Sequence, residues 1–130
     1  MNLASSIAAL AARIGFEVKT KIDATHPGIA RVWVSFGYVN GQVVIASARN
    51  VASVVRTAAG RYRVHFAVAM PDANYCWLAL ARSSTNSGTQ RVAIVRASSD
   101  LKTPQYVDIS CATAQASFDD SSEINLVVYR

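Results

Sequence analysis

The sequence predicts a mainly β protein: an antiparallel, jelly-roll-like β-sandwich of about eight strands, preceded by one N-terminal α-helix. Apolar side chains recur at helical spacing near the start of the chain, and from Ala30 onward the period changes to two. Turn-forming residues then follow at regular intervals, as is typical of an all-β domain.

The predicted helix precedes the stretch DATHPGIA, where Pro27 and Gly28 break it. Asn2 can cap its N-terminus, and its many alanines favour helix. Its aliphatic side chains form a narrow stripe: Leu3, Ile7, Leu10, Ile14, Val18 and Ile22. Two arrangements stay open for this stripe. It associates with copies of itself, in a nearly straight bundle because the spacing is not a strict heptad, or it folds back onto the sandwich.

The domain boundary is expected at residues 24–29, between a helical stem over 1–26 and a β-sandwich head over 27–130. The stem is expected to serve oligomerisation or docking on a particle.

The strands of the head are predicted by alternation. ARVWVSFGYV directs Val32, Val34 and Phe36 to one face and Trp33 to the other, and the next dipeptide, Asn-Gly, predicts a tight hairpin. RYRVHF alternates in the same way, with Tyr62 facing inward. The run YCWLALAR is predicted to be a buried strand.

Composition excludes several classes of protein. The chain has 130 residues, of which 52% are hydrophobic and 16% charged, so it is long and apolar enough for one globular domain. No apolar run is long enough to span a bilayer, and no basic segment precedes the first apolar residues, so neither membrane insertion nor a secretory signal is expected. The net charge of +5 comes from scattered basic residues, which does not favour nucleic-acid binding.

The two cysteines, Cys76 and Cys111, lie in apolar runs. They are predicted to be buried free thiols, and a disulfide stays open because it depends on whether their strands face each other.

No constellation of catalytic residues stands out, so no enzyme activity, cofactor or metal is predicted. The sequence has no nucleophile-elbow motif, and His26 and His65 stand alone. Asp119, Asp120 and Glu123 form the one acidic cluster, within a serine-rich loop predicted to be solvated. Trp33, opposite the apolar face of its strand, is a candidate exposed aromatic contact, either for a neighbouring subunit or for a glycan.

Several segments resemble a sequence pattern of tailed-bacteriophage virion proteins, especially the distal domains of tail fibres. The pattern joins an R-x-W-V-x-F strand, an N-V-x-S-V strand, a G-x-Y-x-V-x-F strand and the run A-M-P-D-A-N-Y. Here these are Arg31–Phe36, Asn50–Val54, Gly60–Phe66 and Ala69–Tyr75, with a matching C-terminal strand at Ile124–Arg130 and an introductory helix at Ile7–Ile22.

The resemblance implies a structural virion protein, commonly a homotrimer without catalytic activity, that is assembled in the host cytoplasm. Its expected partners are copies of itself, other virion proteins, and a glycan or protein receptor on the host surface. A short tail fibre or fibre tip is expected first, and a capsid decoration protein is the alternative. A second alternative, independent of the resemblance, is a carbohydrate-binding module or glycan-degrading enzyme that uses the acidic cluster and Trp33. In a fibre, two loops are expected to contact the receptor, and their candidate residues are Ser84, Thr85, Asn86, Asp119 and Asp120.

Overall fold

The computed structural model describes residues 2–23, 25–83, 90–94 and 99–130. These described residues form one helix, α1 (Leu3–Lys21), followed by eight strands. Their bounds are β1 (Val32–Val39), β2 (Gln42–Arg49), β3 (Val51–Ala58), β4 (Arg61–Phe66), β5 (Cys76–Arg82), β6 (Arg91–Ile94), β7 (Tyr106–Thr113) and β8 (Glu123–Tyr129). The predicted helix and antiparallel β-sandwich are therefore confirmed.

The strands form two four-stranded antiparallel sheets. Sheet A has the order β2-β1-β8-β5, and sheet B has the order β3-β4-β7-β6. The predicted hairpin joins β1 to β2, where Asn40 and Gly41 have φ values of 52° and 79°, as a tight two-residue turn requires. A second hairpin joins β3 to β4 through Gly60, where φ is 66°.

The helix is capped as the sequence predicts. The side chain of Asn2 accepts a hydrogen bond from the Ser5 N–H at 2.8 Å. At the other end, the N–H of Ile22 donates to the carbonyl of Val18. The positive charges of Lys19 and Lys21 in the last turn interact favourably with the negative end of the helix dipole. The helix thus ends before the Pro27-Gly28 breaker and is about 28 Å long.

The core lies between the two sheets. Val32, Val34 and Phe36 of β1 are buried, as the alternation predicts. They face Tyr62 and its neighbours on β4; the rings of Phe36 and Tyr62 meet edge to face with centroids 5.3 Å apart. This aromatic pair ties sheet A to sheet B.

The A-M-P-D-A-N-Y run links β4 to β5 and contributes to the core. Met70 and Tyr75 are buried, and the Tyr75 hydroxyl donates to the carbonyl of Thr103 at 2.9 Å. Asp72 accepts a hydrogen bond from the Asn74 N–H and pairs with Arg130 at the end of the chain. The residues that carry the sequence resemblance therefore build the fold.

Two expectations about burial are wrong. In β5 the small Ala79 faces the core, whereas Leu78 and Leu80 are 61% and 75% exposed. Both cysteines are free, and Cys111 is buried as expected, but Cys76 is exposed. The common cause is that β5 is apolar on both faces, so its sequence does not indicate which face meets the core.

Candidate functional site

The aliphatic stripe of α1 is an exposed surface. None of the described residues of α1 is buried, and the helix makes no extensive contact with either sheet. The structure therefore does not adopt the alternative in which the helix folds back. The exposures of the stripe are 76% for Leu3, 58% for Ile7, 58% for Leu10, 54% for Ile14, 53% for Val18 and 57% for Ile22. A soluble helix with such a stripe gains stability by burying it against a partner.

The outer face of sheet A is a second apolar surface. Trp33 is paired in register with Val127, which is paired in turn with Leu78, so these three side chains lie side by side across β1, β8 and β5. In the next row Asn125 lies beside Leu80. Together they line an open groove with a cavity volume of about 340 Å³.

The centre of the outer face of sheet B differs, because charged side chains satisfy one another there. Arg63 of β4 makes a bidentate contact to Asp108 of β7, at 2.7 and 2.9 Å. The neighbouring Arg61 pairs with Asp100 at 2.8 Å, and the Ser110 hydroxyl also donates to Asp100. On the outer face of sheet B, ion pairs thus lie across the two central strands. On the outer face of sheet A, the two central strands present apolar side chains instead.

The acidic residues in the loop before β8 and at the start of β8 are held in ion pairs with the sandwich. Asp119 pairs with Arg91 and Asp120 with Arg56, each at 2.8 Å, and Glu123 pairs with Arg82 at 2.6 Å. Residues 114–119 of this loop are exposed, as expected of a solvated loop, but its two carboxylates are held in ion pairs that the sequence did not predict. Asp119 and Asp120 stay candidate receptor contacts, since their loop is partly exposed.

Asp120 is the centre of a small network. Its carboxylate accepts two hydrogen bonds from Arg56, one from the Tyr62 hydroxyl at 2.5 Å and one from the Gly60 N–H at 2.8 Å. Partial burial alone would raise the pKa of Asp120, but the hydrogen bonds from Arg56, Tyr62 and Gly60 outweigh it and hold the pKa below its usual value. Burial and the same carboxylate raise the pKa of Tyr62. The network therefore fixes the acidic loop against the hairpin of β3 and β4.

Of the remaining predicted contact residues, the structure describes Trp33 but not those of the loop after β5. Trp33 is half-buried at one side of the sheet A groove, so an aromatic contact there would include Leu78 and Val127. Ser84, Thr85 and Asn86 lie outside the described residues.

Sequence reasoning missed the apolar face of sheet A because it assigned β5 to the interior. The signal was present in YCWLALAR, where large apolar residues alternate with alanine. Either half of that alternation could face outward, and the choice depends on pairing with β8.

Within the described ranges, no cluster of three or more His, Cys, Asp or Glu side chains is arranged to hold a metal ion. In the same part of the chain, no helix is both long enough and apolar enough to cross a membrane.

Comparison with known proteins adds no assignment to this geometry: no family model, no curated protein and no solved structure matches the chain significantly.

Proposed function

We propose that the protein is a non-enzymatic structural module of a tailed-bacteriophage virion, a short trimeric tail fibre or fibre-tip module that attaches to the host surface. The structural observation that carries the self-association in this proposal is the exposed aliphatic stripe of α1, which is not covered by any described part of its own chain. In the proposed assembly three copies bury their stripes against one another and form a stem.

The outer face of sheet A supports the same assembly. The segment between α1 and β1 is short, so a helical stem keeps the heads of neighbouring copies within reach of one another. The groove around Trp33, Leu78 and Val127 is then covered by a second copy, which removes an exposed apolar surface from water. The outer face of sheet B, with its paired charges, stays exposed.

The choice of a virion trimer rests on the sequence resemblance of Arg31–Phe36 and Ala69–Tyr75 to phage fibre domains. The resemblance also favours attachment over catalysis.

Immunogold electron microscopy tests the virion role. An antibody raised against the full chain is applied to phage particles recovered from the host that produces the protein. Label at the tail or its tip is expected. Label spread over the head would favour the decoration alternative, and unlabelled particles would overturn the virion proposal.

A further inference from the structure

Every carboxylate of the head forms an ion pair with an arginine of the head. Six acidic residues lie in the head, and each is paired with a different arginine. The pairs are Arg56–Asp120, Arg61–Asp100, Arg63–Asp108, Arg82–Glu123, Arg91–Asp119 and Arg130–Asp72. The residues outside the described ranges include no aspartate or glutamate, so this pairing covers every acidic side chain of the head.

Two arginines of the described head are left without an ion pair, and both line the same pocket. Arg31 lies just before β1 and Arg49 ends β2. Neither guanidinium makes a hydrogen bond or ion pair with a described residue, and the Nε of Arg31 is buried without a partner. Two unpaired cations at one pocket repel each other, so an anion bound between them would be favoured.

The rest of the pocket is small and partly apolar. Its other walls come from Asn50, Val68, Ala69 and Met70, and its cavity volume is about 220 Å³. The Asn50 side chain is already engaged, since it accepts from the Val68 N–H at 2.7 Å and donates to the Val68 carbonyl at 3.2 Å. The Asn50 side chain therefore holds the rim of the pocket in place, and the guanidinium groups of the two arginines are the polar side-chain groups left to bind a ligand. This cavity is smaller than an ordinary ligand site, so a ligand of one ring with an attached acidic group matches its size.

The anion is expected to come from another kind of molecule. A second copy of this chain offers few carboxylates, because those of its head are paired and Glu17 pairs with Lys21. Asp23 accepts two hydrogen bonds from Thr25, which are the main cause of its lowered pKa. Asp23 and Arg31 are both described and form no ion pair with each other, so Asp23 is not the close partner of Arg31.

We infer that the pocket of Arg31 and Arg49 binds an acidic sugar, a single ring whose carboxylate lies against the two guanidinium groups and whose body contacts Val68 and Met70. Arginine suits this role because its planar fork matches a carboxylate with two parallel hydrogen bonds. The choice of a sugar over another organic acid rests on the proposed attachment function, since acidic polysaccharides are receptors that a host surface can present.

Isothermal titration of the full-length protein tests the inference with D-glucuronate as the probe. D-glucose supplies the ring without the charge, and acetate and inorganic phosphate supply charge without the ring. Glucuronate should bind more tightly than all three. The variants Arg31→Gln and Arg49→Gln should each weaken its binding by about tenfold or more, because each removes a charged hydrogen-bond donor.

Arg82→Gln is the matched control, since Arg82 is an exposed arginine on another part of the head. It should leave glucuronate binding unchanged. The pocket variants are expected to fold normally because their arginines pair with no described residue, and melting curves check this. The inference would be overturned if glucuronate did not bind, or if glucose, or acetate and phosphate, bound as tightly as glucuronate. It would also be overturned if Arg82→Gln weakened glucuronate binding as much as the pocket variants do.

The attachment function is scored separately by binding of the fluorescently labelled wild-type protein to host cells. A protein that binds glucuronate through Arg31 and Arg49 but binds no cells would refute attachment and keep the pocket. Cell binding by a protein that does not bind glucuronate would keep attachment and refute the pocket.

Discussion

Arg56 on β3 donates two hydrogen bonds, of 3.0 and 2.8 Å, to Asp120 in the loop that joins β7 of sheet B to β8 of sheet A. The two residues are 64 positions apart in the sequence. The contact holds this loop against β3, an edge strand of sheet B, and defines the first prediction.

The substitution Asp120→Asn should destabilise the head by about 2–4 kcal/mol, because a partly buried arginine and the Tyr62 hydroxyl lose their charged acceptor. Chemical denaturation monitored by tryptophan fluorescence measures the free energy of unfolding. Glu123→Gln is the control, since its partner Arg82 is largely exposed and such pairs contribute little. Equal losses in the two variants would contradict the central role of Asp120.

The same network predicts acid sensitivity. The pKa of Asp120 is lowered in the folded protein, so its contribution to stability is present above the unfolded value of 3.8 and is lost as the pH falls through the folded value. The melting temperature should therefore drop below about pH 4. In Asp120→Asn that drop should be smaller, and parallel curves for the two proteins would contradict the assignment.

Two glycines should respond oppositely to alanine. A Cβ at Gly37 would collide with the carbonyl of Ser122, which belongs to the backbone and cannot move aside, whereas a Cβ at Gly15 meets nothing within 4 Å. Gly37→Ala should cost about 1–3 kcal/mol through overpacking. Gly15→Ala should stabilise the helix by up to about 1 kcal/mol. Thermal unfolding of both variants checks this, and a neutral Gly37→Ala would show that the loop before β8 can yield.

The outer face of sheet A should be sensitive to charge if a second copy covers it. Leu80→Glu should weaken the assembly, because Leu80 lines the groove and is 75% exposed in the single chain. Val55→Glu is the control, since Val55 is 46% exposed on sheet B, which is not proposed as an interface. Sedimentation velocity over a range of protein concentrations measures both, and equal dissociation would contradict the choice of face.

Cys76 provides a built-in probe of that face. Its thiol is exposed in the single chain and lies on β5 near Leu78, whereas Cys111 is buried, and burial raises its pKa to about 12. A maleimide should label Cys76 slowly in the assembled protein and rapidly in Leu80→Glu, while Cys111 reacts only on unfolding. Rapid labelling of Cys76 in the intact assembly would show that this part of the face is uncovered.

The sequence was sufficient for the elements whose periodicity is unambiguous. The stripe of α1, the Asn40-Gly41 turn and the inward face of β1 were predicted because each depends on local spacing. In β5 the same rule fails, because Leu78 and Ala79 are both apolar and only pairing with β8 decides which faces the core.

The candidate sites were less predictable because they depend on contacts between distant residues. Asp120 looks like a member of an exposed acidic loop until the fold brings Arg56 to it. Likewise, Arg31 and Arg49 are two of many scattered arginines in the sequence, and they become a pair only when every acidic residue of the head is seen to have another partner.

Light scattering of the full-length protein tests the central claim, that the stripe of α1 is a self-association surface, most directly. We expect a mass three times that of the 13.9 kDa chain, falling to that of one chain in the double variant Leu10→Glu/Ile14→Glu. The control Ala9→Glu/Ala12→Glu adds the same charge away from the stripe and should remain trimeric. A monomeric wild-type protein, or a trimer that survives Leu10→Glu/Ile14→Glu, would contradict the claim.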